Sequence, residues 1–163
     1  MSQSKITSFF VKRLSKMERH DTIEEVKDED NYTLFFDGCS KGNPGIAGAG
    51  AVLYKNETEI WSKSLFVGEK ETNNVAEYHG LILGLEEAVR RDIKSIEVKG
   101  DSELVIKQMK CLYKVKSQNM ITLFQKAKVL ERKFEKIEFF HVYRSENSRA
   151  DDLSNEGIMC KKL

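Results

Sequence analysis

Four carboxylates stand where secondary structure should begin or end. Asp37 closes the run Tyr32–Phe36, Glu77 falls early in a helical pattern, Asp101 follows Gly100, and Asp151 opens a last short helix. Acids brought together from such positions repel, and a shared pocket of them is tolerable only with protons or cations present. Carboxylate oxygens suit Mg2+ or Mn2+. Two such ions about 4 Å apart can activate a water and stabilise the leaving oxygen of a phosphodiester under in-line attack. The plainer role for an acid at a helix start is capping, favoured by the helix dipole. With 26 acids in the chain, some fall at element ends by chance, so spacing alone leaves both roles open.

The elements that must carry these acids are legible from pattern. Tyr32–Asp37 is rich in β-formers and reads as strand one, followed by the turn cluster Gly42-Asn43-Pro44-Gly45. Ala47–Tyr54 and Glu59–Phe66 read as strands two and three. From Thr72 the apolar residues Val75, Tyr78, Leu81, Ile82, Leu85 and Val89 recur at helical spacing. A short strand, Ser95–Lys99, precedes helices over Ser102–Lys110 and Ser117–Phe134; strand five is Ile137–Tyr143 and a final helix covers Asn147–Glu156. Three consecutive strands fit an antiparallel meander, and strands alternating with helices fit parallel additions by crossover. The expectation is an α/β fold with a mixed five-stranded sheet and helices on both faces. If strands one and four are neighbours, Asp37 and Asp101 meet at a sheet end, where such folds place their sites.

Composition narrows the classes. The chain has 163 residues, enough for one domain with a tail. Hydrophobic residues at 40% exclude wholesale disorder, and no apolar run approaches the ~20 residues of a membrane span. No apolar leader region precedes the chain's basic start, so a secretory signal is not expected. Cys39, Cys111 and Cys160 make an odd count without CxxC spacing, which predicts free thiols and no zinc site. The net charge of +1 offers no global attraction to nucleic acid, so binding must come from local features. Residues 1–30 differ from the rest: five basic residues up to Arg19, then six acids between His20 and Asp30. They predict a mostly disordered arm, ahead of a domain over 31–158 and a short tail over 159–163.

Context around the four acids carries more than their spacing. Asp37-Gly-Cys-Ser-Lys-Gly-Asn-Pro-Gly45, Thr72-Asn-Asn-Val-Ala-Glu77, Gly100-Asp101-Ser102 and Arg144-Ser-Glu-Asn147-Ser-Arg-Ala-Asp151-Asp-Leu-Ser-Asn155 resemble, in order, four motifs of the ribonuclease H family, type 1. The connection around Cys111–Gln118 is short, as in compact members without a long basic protrusion. The resemblance implies a ribonuclease H-like fold with strand order 3-2-1-4-5. It implies endonucleolytic hydrolysis of the RNA strand of an RNA–DNA hybrid, leaving 5′-phosphates. Asp37, Glu77, Asp101 and Asp151 match the family's metal-binding carboxylates, for two Mg2+ per site with Mn2+ as a substitute. The Ala-Asp-x-Leu register selects Asp151 over Asp152.

Choosing RNA in a hybrid requires sensing 2′-hydroxyls. Cys39, Ser40, Asn43, Asn73 and Asn74 are the candidates, because backbone and amide groups both donate and accept. The resemblance favours Asn43 and Asn74, while a turn at Asn43 and a helix cap at Thr72 or Asn73 are the structural alternatives. Arg144 could reach a phosphate or orient Asp151. His141 matches a family histidine ahead of the last carboxylate, yet sits in an apolar strand pattern where packing is the commoner role. Lys110, Lys114, Lys116, Lys126 and Lys128 surround a helix connection, as phosphate contacts or as a solvated face.

In the arm, Gln3, Ile6, Phe9 and Phe10 have the spacing of a sliding-clamp (PCNA) interaction motif, which this segment resembles. One helical turn would place the three apolar residues on one face to fill an apolar pocket. The expectation is a monomeric nuclease tethered to a clamp, intracellular and at sites of DNA replication: the nucleus of a eukaryote, or the cytoplasm or replication compartment of an archaeon or virus. The competing readings are a superfamily nuclease or strand-transferase acting on DNA, and a hybrid-binding module without catalysis.

Overall fold

The computed structural model describes residues 29–162, so the arm with Gln3, Ile6, Phe9 and Phe10 lies outside the described residues, as does Leu163. Five strands, β1 (Tyr32–Lys41), β2 (Gly45–Lys55), β3 (Thr58–Glu71), β4 (Ser95–Gly100) and β5 (Lys136–His141), form one sheet in the order β3-β2-β1-β4-β5. β1–β2 and β2–β3 pair antiparallel, whereas β1–β4 and β4–β5 pair parallel. Among the described residues, four α-helices accompany them: α1 (Asn73–Arg90), α2 (Glu103–Met109), α3 (Gln118–Glu131) and α4 (Ser148–Met159). The mixed sheet and the order 3-2-1-4-5 agree with expectation.

The helices bury their apolar stripes on opposite faces of the sheet. On one face Tyr78, Leu81 and Leu85 of α1 join Leu34, Phe36, Leu53 and Val98 in the main core. On the other, Ala150 and Leu153 of α4 pack on Val52, Phe35 and Tyr54. Each large side chain fully buried this way contributes about 1.5–3 kcal/mol relative to exposure. Thr72 caps α1, accepting from the Val75 N–H at 3.2 Å, and Ser102 caps α2 the same way. Of the two capping candidates, Thr72 and Asn73, Thr72 is the cap.

Several boundaries move. β1 does not end at Asp37: its ladder with β2 continues from Asp37↔Gly50 to Lys41↔Ile46. The small residues Ala47, Gly48 and Ala49 opposite let the hairpin run on to the turn, although Gly38 is a poor strand former. β3 likewise runs on to Glu71. β5 stops at His141 rather than Tyr143, α3 stops at Glu131 rather than Phe134, and α4 runs from Ser148 to Met159. Residues Cys160–Lys162, expected as a tail, add a 3-10 turn.

Candidate metal centre and its rim

Asp37 owes its place to two ladders of different length. The parallel ladder between β1 and β4 ends at Phe36↔Gly100, so Asp37 and Asp101 are the next residues on adjacent strands. Gly100 also pairs with His141, which puts the end of β5 at the same edge. Side chains alternate along a strand. Asp37 therefore shares the α4 face with Phe35, while Gly38 turns to α1. There the missing side chain matters: a Cβ on Gly38 would lie 2.1 Å from the Ala76 carbonyl carbon and 2.2 Å from the Glu77 nitrogen. Gly80 repeats the device one turn on, where a Cβ would lie 2.5 Å from the Asp37 carbonyl oxygen. These two glycines seat the start of α1 directly on β1 and deliver Glu77 to Asp37.

The result is a cluster in which carboxylate oxygens of Asp37, Glu77 and Asp101 all lie within 4.8 Å of one another. Asp37 and Glu77 are buried, and Asp101 is half-buried. Burial pushes the Asp37 carboxyl up to about 7, and the charges of Asp101 and Asp151 add to it; hydrogen bonds from Ser154 and the Gly38 N–H pull the other way. Burial, then the charges of Asp37 and Asp101, hold Glu77 well above the usual carboxylate range. Glu77 Oε2 is buried with no hydrogen-bond partner among the described residues. An all-carboxylate donor set, strained by mutual repulsion and containing an orphaned buried oxygen, fits a hard divalent cation such as Mg2+ or Mn2+.

Asp151 stands outside that tight trio but close enough for its charge to act on Asp37. It lies in the first turn of α4, where its N–H donates to the Asn147 carbonyl at 3.0 Å. Arg144 Nη2 donates to Asp151 Oδ1 at 3.2 Å, while the rest of its side chain is exposed. Asn147 itself is buried, and its Nδ2 donates to the Phe36 carbonyl at 2.9 Å, which locks the α4 start to the residue before Asp37.

The rim residues split between holding the turn and facing outward. The Ser40 N–H donates to Asn73 Oδ1 at 2.7 Å, the Asn73 N–H donates to Asn43 Oδ1 at 3.0 Å, and the Ser40 hydroxyl donates to the Glu71 carbonyl at 2.7 Å. Asn43 and Asn73 thus commit their oxygens to joining the β1–β2 turn to α1. Their amino groups make no hydrogen bond among the described residues and remain for a ligand. Asn74 is half-buried beside them, and Cys39 Sγ lies 3.9 Å from Asn155 Oδ1. His141 is exposed at the last position of β5, not inside an apolar strand as expected, because that strand ends there. Of the five lysines, Lys126 pairs with Glu86 and Lys128 with Glu131, leaving Lys110, Lys114 and Lys116 exposed without an ion pair among the described residues.

Ser154 and Asn147 were not anticipated as site residues. The available signal for Ser154 was its place three residues after Asp151, on the same helix face. Asn147 stands in the fourth motif, but its role was not legible there because its partner is 111 residues away.

Comparison with known proteins supports the geometric picture. A family model described as "Reverse transcriptase-like" matches residues 35–157. A bifunctional protein of Mycobacterium tuberculosis is 40% identical over 123 residues, covering 75% of this chain and 34% of that protein. The chain thus spans about a third of the length of the first curated relatives it matches. A ribonuclease H of Dechloromonas aromatica is 33% identical, over 80% of this chain and 95% of its own. Among solved structures, LC11 RNase H1 in complex with RNA/DNA hybrid superposes with a TM-score of 0.75 at 35% identity, covering 82% of this chain and all of that one.

Proposed function

The chain belongs to the ribonuclease H family, and we propose that it hydrolyses the RNA strand of RNA–DNA hybrids endonucleolytically, leaving 5′-phosphates. The observation that carries this reading is the trio Asp37, Glu77 and Asp101 gathered within 4.8 Å at one sheet edge, with Asp151 alongside. These four acids would hold two Mg2+ ions, with Mn2+ as a substitute. Bound there, the ions offset the carboxylate charge and supply Lewis acidity for attack of water on a phosphodiester. The protein's own groups do the rest. Arg144 keeps Asp151 turned to the site, and Asn43, Asn73 and Asn74 face the minor groove, where amide groups can read 2′-hydroxyls. Cys39 and Ser40 offer backbone groups of the same turn. Exposed Lys110, Lys114 and Lys116 supply phosphate contacts whose strength falls with salt.

We infer further that the arm docks a sliding clamp through Gln3, Ile6, Phe9 and Phe10, placing the nuclease at sites of DNA replication, where primers and stray hybrids arise. The support is the spacing of these residues and the acidic segment separating them from the domain. An arm of this length would raise the effective concentration of nuclease near clamp-bound DNA without new contacts.

The first test incubates the full chain with end-labelled RNA–DNA hybrid, double-stranded RNA and double-stranded DNA, with Mg2+ or chelator. Metal-dependent cutting of the hybrid's RNA strand alone is expected. Cutting of DNA would favour a superfamily DNA nuclease, and binding without cutting a non-catalytic module. For the arm, a labelled peptide of residues 1–16 should bind purified clamp, and Phe9→Ala with Phe10→Ala should abolish binding while hybrid cleavage by the full chain is unchanged. Equal binding of the doubly substituted peptide would end the clamp reading.

A further inference from the structure

Ser154 lies fully buried on α4, one turn after Asp151. Its Oγ is 2.5 Å from Asp37 Oδ2 and 2.8 Å from the Asp151 carbonyl oxygen. A hydroxyl has one proton, so it serves one of these acceptors at a time. The Asp151 carbonyl already accepts from Asn155 Nδ2 at 2.9 Å, and the carboxylate is the nearer and stronger acceptor. With that carbonyl supplied, the Ser154 proton goes to the carboxylate. A hydroxyl-to-carboxylate bond at this length is of the strong, charge-assisted kind. Ser154 is the neutral side chain that donates to Asp37, and its bond pulls the Asp37 carboxyl down.

We infer that Ser154 is the positioning residue of the centre: it fixes the plane of the Asp37 carboxylate and ties β1 to the helix turn carrying Asp151, and thereby sets the affinity of the site for divalent cations. Asp37 and Asp151 come from elements separated by more than a hundred residues, and Ser154 is the side chain that touches both. Asn147 performs a parallel service one residue earlier, holding the Phe36 carbonyl from the start of the same helix. Together they anchor α4 to β1 on either side of the acids. Partners of this kind, which orient a ligand without touching the ion, typically alter metal affinity by about 10–100-fold when removed. The inference rests on the reading of the four acids as metal ligands.

The test titrates Mn2+ calorimetrically into the substrate-free full chain, for wild type, Ser154→Ala and Ser154→Thr. The expected result for Ser154→Ala is about tenfold weaker binding. It should still melt cooperatively in chelator, and raising the metal concentration should restore kcat with the KM for hybrid unchanged. Ser154→Thr keeps the hydroxyl and should bind Mn2+ as wild type does. Wild-type affinity and wild-type metal dependence in Ser154→Ala would overturn the inference. A wild-type protein that takes up no Mn2+ would instead overturn the metal reading beneath it, and this failure is distinct because it appears before any substitution.

Discussion

His141 Nε2 lies 3.2 Å from the backbone carbonyl oxygen of Asp101. A ring donating from Nε2 fits this contact, and it joins the end of β5 to the loop that carries a site carboxylate. The histidine is therefore tied to the backbone, while Tyr143 packs edge-on against it at 6.3 Å between ring centroids. A ring in this position steadies Asp101. His141→Ala should lower kcat by about three- to tenfold, well short of the 10²–10⁴-fold expected for losing a general acid or base. Steady-state cleavage of a defined hybrid decides between them, and a loss of a hundredfold or more would make His141 a proton-transfer group.

Asp101→Asn separates catalysis from folding. It removes one proposed metal ligand and should reduce cleavage by at least about a thousandfold, the scale at which catalytic groups act when removed, while hybrid binding by gel shift persists. The same change removes a charge facing Asp37 and Glu77. In chelator the variant should melt higher than wild type. A lower melting temperature would mean that repulsion in the trio is not what strains the centre.

The raised carboxyls make stability depend on pH with a definite sign. Asp37 titrates near 7 in the folded chain and near 4 when unfolded. Between these values the folded state holds the extra proton, so the Asp37 contribution to stability falls as pH rises from about 4 to 7 and levels off above that. Glu77 shifts in the same direction. Melting curves in chelator should decline across this window. Added Mg2+ should flatten the decline, because the ion replaces the proton. An unchanged slope with Mg2+ would place the ion elsewhere.

Arg144→Ala should act through Asp151. Its guanidinium meets Asp151 Oδ1 at 3.2 Å but is otherwise exposed. The expected effect is a severalfold fall in kcat at low Mg2+ with little change in KM for hybrid. A raised KM with unchanged kcat would show instead that Arg144 binds phosphate.

Gly38→Ala should be far more damaging than its size suggests. The new methyl would meet backbone of α1 at 2.1 Å, and backbone cannot rotate aside. Overpacking of this kind costs about 1–3 kcal/mol or more. Melting should fall by several degrees and cleavage should drop with it, because α1 carries Glu77 away from Asp37. A variant with wild-type melting and activity would refute the role given to this contact.

The four acids were legible in the sequence because each sits beside a local mark: a β-rich run before Asp37, a capping threonine before Glu77, a glycine before Asp101, and the Ala-Asp-x-Leu register at Asp151. The element types followed from periodicity, and the sheet order from the resemblance of the four motifs to the ribonuclease H family. These are short-range properties, and short-range sequence carries them. Tertiary structure decided what depends on distant partners. β1 runs past Asp37 because β2 offers small residues opposite it. Glu77 reaches Asp37 because Gly38 and Gly80 let α1 approach the strand. Ser154 and Asn147 join the centre from the opposite face of the sheet. Whether an asparagine holds a turn or faces outward, and which acceptor receives a single hydroxyl proton, depends on atoms brought together only when strands and helices pack.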